Sequence, residues 1–207
     1  MSDFGTMITR IKREIKRDGL TADTRDAIRT SIAYYSERRL DFNDEDTSTS
    51  VDSSVSTLVY PANFLEIDRL ELSSTGTDRF ELDEISFDEV RERTLNNTGK
   101  GVPSGYAVFD NVIYFDLTTD RPFAVRTWGL KQLPEISASS TTTDTNAWMT
   151  TGEELIRSHA KMILFRDVLR NQPASNEMAA AATIAIRPLE HRAVSKQSTG
   201  RVEKTVF

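Results

Sequence analysis

The sequence predicts an α+β chain, with terminal helix pairs forming a helical bundle and an inserted antiparallel β region. Three observations predict it. Apolar residues recur at helical spacing through the first forty positions; short apolar runs broken by Pro, Gly and Asn fill Ser56 to Leu133; and helical spacing returns from Thr151 to Arg192. The divisions that follow are 1–40, an N-terminal helical hairpin; 41–150, an antiparallel β region with long loops; 151–194, a C-terminal helix pair packing on the hairpin; and 195–207, an extended docking tail.

In the hairpin, Phe4, Met7, Ile8, Ile11 and Ile15 make one apolar stripe, and Gly19 is the expected C-terminal cap. Arg10, Lys12, Arg13, Lys16 and Arg17 occupy the other side, where they are either simply solvated or meet a subunit or partner. Thr21 or Asp23 is expected to cap a second helix with the face Ala27, Ile28, Ser31, Ile32 and Tyr35. The short connection favours antiparallel packing. From Asp41 to Ser56 the chain is acidic and rich in Ser and Thr, and reads as an extended loop leading into a strand.

Thr57 to Tyr60 predicts a strand ending at Pro61, and Ile67, Leu70 and Leu72 a second. Ser86 with Glu89 three residues later has capping-box spacing and opens a short helix to Thr94. Tyr106–Phe109 and Val112–Leu117 form a hairpin about Asp110-Asn111, two residues that tolerate positive φ. Phe123, Val125 and Thr127 alternate with Ala124, Arg126 and Trp128 as a further strand. Ser137 to Thr145 is a polar linker. Thr150 and Thr151 each precede a glutamate by three residues, Glu153 and Glu154, which predicts a capping box at the next helix. That helix, through Leu155, Ile156, Ala160, Met162, Ile163, Leu164, Phe165, Val168 and Leu169, is apolar over much of its circumference and belongs inside a bundle. Ser175 starts the last helix, whose face Met178, Ala179, Ala182, Ala185, Ile186 and Leu189 permits close approach, and Pro188 is expected to kink or end it.

Composition bounds the function. The 207 residues contain no cysteine, so disulfides, thiolate metal sites and cysteine nucleophiles are excluded. No apolar run reaches the roughly 20 residues of a bilayer span, and a soluble chain with no membrane partner is expected. Net charge is −6, which disfavours general attraction to phosphate backbones. The charge is uneven: residues 1–39 carry 9 Lys/Arg against 6 Asp/Glu, residues 40–150 carry 8 against 20, and residues 151–207 carry 9 against 6. Basic ends flanking an acidic middle suit complementary contacts between copies, with solvated helix faces as the plainer reading.

The sequence offers no nucleophile with a base, no metal cluster and no phosphate loop, so the chain is expected not to be an enzyme and to have no catalytic, cofactor or metal residues. His159 and His191 lie in separate predicted helices with no second histidine at ligand spacing. Thr98-Gly99-Lys100-Gly101 lacks both the earlier glycine and the final hydroxyl residue of a phosphate loop. Asp44, Glu45 and Asp46 lack the alternation of a calcium loop.

The order of elements, together with particular segments, resembles the head-to-tail adaptor (connector) proteins of short-tailed bacteriophages. The segments are Asp3-Phe4 through Ile8-Thr9-Arg10, Tyr60-Pro61-Ala62-Asn63-Phe64-Leu65-Glu66-Ile67, and Thr145-Asn146-Ala147-Trp148-Met149-Thr150 leading into Glu153-Glu154-Leu155-Ile156. The likeness runs from Asp3 to about His191; Ser31 on an apolar face and Asn63 in place of an acidic residue depart from the pattern. The resemblance implies a virion protein made in the host bacterial cytoplasm. It implies a homo-oligomeric ring of twelve subunits that binds the portal protein after packaging, gives tail nozzle or fibre proteins a platform, and lets DNA pass through its lumen without sequence-specific binding. Docking on the portal or a neighbouring subunit is expected through Val202, Lys204, Val206 and Phe207, and intersubunit charge contacts through Arg10, Arg13 and Arg17. The alternatives are another virion tail component, a nozzle or fibre-joining protein, and an accessory hydrolase or nucleic-acid-binding protein.

Overall fold

The structure, a computed structural model, describes residues 3–74, 78–133, 136 and 145–198. It is α+β. Five α-helices are present among the described residues: α1 (Phe4–Ile15), α2 (Thr21–Tyr35), α3 (Phe87–Asn96), α4 (Glu153–Ile163) and α5 (Gln172–Ser198), with a π-helical segment over Leu164–Val168. The strands are β1 (Asp44–Val51), β2 (Thr57–Val59), β3 (Phe64–Ser73), β4 (Arg79–Glu84), β5 (Lys100–Gly101), β6 (Gly105–Phe109), β7 (Val112–Phe115), β8 (Thr118–Thr119) and β9 (Phe123–Lys131). Two compact units result: Met1–Asn43 with Gln132–Phe207, and Asp44–Lys131.

In the first unit, burial of the α1 stripe Phe4, Met7, Ile8, Ile11 and Ile15 joins Ala27, Ile28 and Ile32 of α2, Leu155 and Ile156 of α4, and Ala182, Ile186 and Leu189 of α5 in one core. Asp3 caps α1, its carboxylate accepting from the Thr6 N–H at 2.6 Å. The helix ends at Lys16, which takes a left-handed conformation with φ 55°, so the cap expected at Gly19 falls three residues earlier. α2 begins without a side-chain cap: Leu20 is its N-cap, and neither Thr21 nor Asp23 has that role.

The capping boxes expected at Thr150 and Thr151 do not form. Asn146 takes over the turn, its Oδ1 accepting from the Trp148 and Met149 N–H groups at 3.0 and 3.3 Å. The Thr150 hydroxyl donates back to the Asn146 carbonyl at 3.3 Å, and α4 starts from Gly152 with no side-chain cap. The predicted long apolar helix is therefore α4 followed by the π-helical segment, closed by the Leu169 N–H on the Leu164 carbonyl at 2.9 Å. α5 runs through Pro188 to Ser198, so residues 195–198 of the expected extended tail are helical. Residues 199–207 lie outside the described residues.

The second unit is built on a seven-stranded sheet in the order β1-β9-β3-β4-β6-β7-β2, with β5 and β8 as a separate pair. The antiparallel expectation is corrected here: the sheet is mixed, because β4 pairs β6 in parallel and β5 pairs β8 in parallel. The cause is topological. α3 and the loop after it carry the chain across between β4 and β6, and a crossover of that length allows two strands to run the same way. The acidic segment read as a loop contains β1, which lies at the sheet edge and pairs β9 from Asp44↔Leu130 to Val51↔Phe123. Alternation on β9 buries Phe123, Val125 and Thr127. They face a core with Phe64, Ile67, Leu70, Leu72, Leu82, Tyr106, Ile113 and Phe115.

Candidate functional site

The Asp110-Asn111 turn forms as expected, with φ 51° and 59°, and joins β6 to β7. Ser86 caps α3 by accepting from the Glu89 N–H at 3.2 Å, which seats the helix against the hairpin. Phe87 stacks on Phe109 with centroids 4.6 Å apart and meets Tyr114 edge-on at 5.0 Å. Val90 is buried, yet Leu95 at the other end of the same helix is 75% exposed, Phe109 is 54% exposed and Val59 on β2 is 78% exposed. The strand registers place Val59, Val112 and Phe109 on one face of the sheet. A groove of ≈ 280 Å³ runs along α3, lined by Ser56, Phe87, Arg91, Thr94, Leu95 and Tyr114 among others. Exposed apolar side chains on one face of the sheet, beside a groove that Leu95 and Arg91 line, are the chemistry of a protein contact. Sequence periodicity passed over Val59 and Leu95 because an apolar residue in a short element reads as core. The available signal was that Leu95 follows Arg91, Glu92, Arg93 and Thr94 in an otherwise polar helix.

The opposite side of α3 is polar. Arg93 reaches Glu89 at 2.7 Å and Asp116 at 3.0 Å, above a groove of ≈ 530 Å³ that also touches Ser104 and Leu117. Asp116 accepts from the Ser104 N–H at 3.0 Å and the Ser104 hydroxyl at 2.8 Å. Burial works to raise the pKa of this carboxyl, but the hydrogen bonds from Ser104 and Arg93 prevail and hold it below its ordinary value. All these contacts tie the α3 side to the 102–104 loop, which is a structural task. Lys100 of the glycine-lysine stretch sits in β5 and donates to the Ser54 hydroxyl at 2.7 Å.

The histidines separate in the same way. His159 is buried, stacked under Tyr34 at 4.9 Å and edge-on to Tyr35 at 5.0 Å, with Nδ1 3.0 Å from the Ser31 Oγ. Ser31 donates its single proton to the Ala27 carbonyl at 2.7 Å, so it accepts from His159 and fixes the Nδ1–H tautomer. Burial, with a smaller effect of Arg166, pushes the imidazole pKa down. This explains Ser31 on an apolar face: it is the histidine's partner. His191 is exposed on α5.

Of the basic residues proposed for intersubunit contact, Arg10 pairs with Glu153 of its own chain. Glu153 and Glu14 also meet Arg157, at 3.8 and 3.4 Å, and Glu14 meets Lys161 at 2.7 Å, so these charges link α1 to α4. Arg13 and Arg17 are exposed and make no ion pair among the described residues. Val202, Lys204, Val206 and Phe207 lie outside the described residues. No group of acidic or histidine side chains that could hold a metal ion, and no helix long and apolar enough to cross a membrane, is found among the described residues.

Compared with known proteins, the chain matches the family model of the SU10 adaptor protein over residues 2–203. No curated protein matches it.

Proposed function

The chain belongs to the SU10 adaptor protein family, which makes it a phage structural adaptor and virion component, and from that premise we propose that it is the head-to-tail adaptor of a short-tailed phage. In this reading it is a non-catalytic subunit of a twelve-membered ring that binds the portal protein after packaging. The ring then receives nozzle or fibre proteins and lets DNA slide through its lumen without sequence-specific binding. The observation that carries the reading is the family match over residues 2–203.

Particular residues support it. The polar groups best suited to chemistry, His159 and Asp116, are spent on internal hydrogen bonds. Exposed Arg13 and Arg17 are available to meet the acidic middle segment of a neighbour, and Val59, Leu95 and Phe109 offer an apolar contact on the other unit. A head-to-tail ring needs two unlike surfaces on each copy. The core shared by α1, α2, α4 and α5 is, in this reading, the helical bundle of the ring subunit, and Val202, Lys204, Val206 and Phe207 dock on the portal or the next subunit.

Co-sedimentation with purified portal rings tests the proposal. Saturable binding at twelve copies per portal is expected. Binding to tail components with none to the portal would replace it with the nozzle or fibre-joining reading.

A further inference from the structure

We propose that the free edge of β2 accepts a strand from a second copy of this chain, the segment Val202–Phe207. The inference rests on the ring-subunit reading above and names the acceptor surface for its docking segment.

The two edges of the sheet differ. At one end, β1 carries the exposed carboxylate of Asp46, a charge that discourages further pairing. At the other, β2 lies in a stretch, Ser53 to Tyr60, that holds no charged residue. The Phe115 N–H donates to the Ser56 carbonyl at 2.9 Å and the Tyr60 N–H donates to the Asn111 carbonyl at 3.0 Å. Antiparallel alternation therefore turns the N–H and C=O groups of Thr57 and Val59 away from β7. The unpaired edge thus belongs to the strand that carries the exposed Val59, with Phe109 on the same face two strands further in.

An extended segment can satisfy the backbone groups and pack beside the exposed Val59. Residues 199–207 span up to about 30 Å when extended. Val202, Thr205, Val206 and Phe207 favour a strand, and the segment contains no proline. Either face turned to the patch brings an apolar group, Val202 with Val206 or Phe207. A head-to-tail ring joins unlike surfaces, and a segment meeting an edge is such a pair.

The chain has no cysteine, so an introduced pair reports without background. Val59→Cys and Val206→Cys are made in separately tagged copies, mixed, and oxidised both in solution and on portal rings. A disulfide joining the two tags, at ten-fold or more the yield of a Ser48→Cys control on β1, is expected. Amide exchange at Thr57 and Val59 should also speed up at least ten-fold when Val202–Phe207 is deleted from the assembled chain. Yields equal to the control, exchange unmoved by the deletion, or cross-linking within one copy alone would overturn the proposal. Portal binding retained without the cross-link sinks strand addition and spares the adaptor reading; the cross-link without portal binding does the reverse.

Discussion

A methyl group added at Gly129 would stand 2.0 Å from the Glu66 carbonyl oxygen and 3.0 Å from the Glu66 carbonyl carbon and the Ile67 Cα. These are backbone atoms of β3, so no side-chain rotation relieves the contact. β3 is irregular here, its register against β9 shifting between Phe64 and Glu66 and again between Ile67 and Arg69, and the bulges bring its backbone close to Gly129. Ordinary van der Waals contact begins at 3.4 Å, so the carbonyl must retreat by about 1.4 Å. Such a shift breaks about two ladder hydrogen bonds at ~1 kcal/mol each and adds overpacking strain of about 1–3 kcal/mol. Gly129→Ala should therefore destabilise the second unit by about 3–5 kcal/mol, a large part of the 5–15 kcal/mol typical of a domain. With a urea slope of about 2 kcal/mol per molar, the midpoint should fall by about 1.5–2.5 M. Gly19→Ala is the control: nothing lies within 4 Å of its added carbon, so stability should be unchanged or rise by about 0.4–1 kcal/mol. Urea unfolding, with amide exchange along β9 to assign the change to its unit, is the assay. Equal midpoints for the two variants would refute the reasoning.

Three further outcomes are expected. Because the folded pKa of His159 lies below its ordinary 6.5, the unfolded chain binds the extra proton first; stability is full above pH 6.5 and is lost as pH falls through the folded value. His159→Gln should flatten that part of the pH profile, and an unchanged slope between pH 7 and 5 would count against it. Asp116→Ala should cost about 1–3 kcal/mol by leaving the Ser104 N–H and hydroxyl without their acceptor and Arg93 with Glu89 alone. In the parent chain the Asp116 contribution is present above its ordinary 3.8 and lost as pH falls through the lowered folded value, which acid titration of the unfolding midpoint reads out. Reversing Arg13 and Arg17 to glutamate should leave folding intact and weaken self-association at low salt, with the difference vanishing near 1 M, where screening shortens to about 3 Å. Self-association indifferent to the reversal would remove the charge contribution alone.

Features with a local cause were legible in the sequence: the α1 stripe, the Ser86 cap, the Asp110-Asn111 turn and the alternation of Phe123, Val125 and Thr127. Those decided by competition or by distant partners were not. Asn146 outcompeted Thr150 and Thr151 for the turn before α4, and Lys16 adopted the left-handed cap that glycine usually takes. β1 was hidden because, of Asp46 to Val51, only Val51 is buried, and the strand is held at the edge by backbone pairing to a strand about eighty residues away. The parallel step from β4 to β6 depends on the path of the chain, which periodicity does not encode. At the candidate site, the sequence singled out charges on α1, of which Arg10 is spent inside its own chain, and passed over Val59 and Leu95, whose exposure follows from the tertiary arrangement.

The most direct test of the account is single-particle imaging of virions that contain this chain, with its density traced at the vertex where DNA enters. A closed ring of twelve copies between portal and tail, each copy touching the portal, is expected. Density in a distal nozzle or at a fibre joint, with another protein beneath the portal, would contradict it.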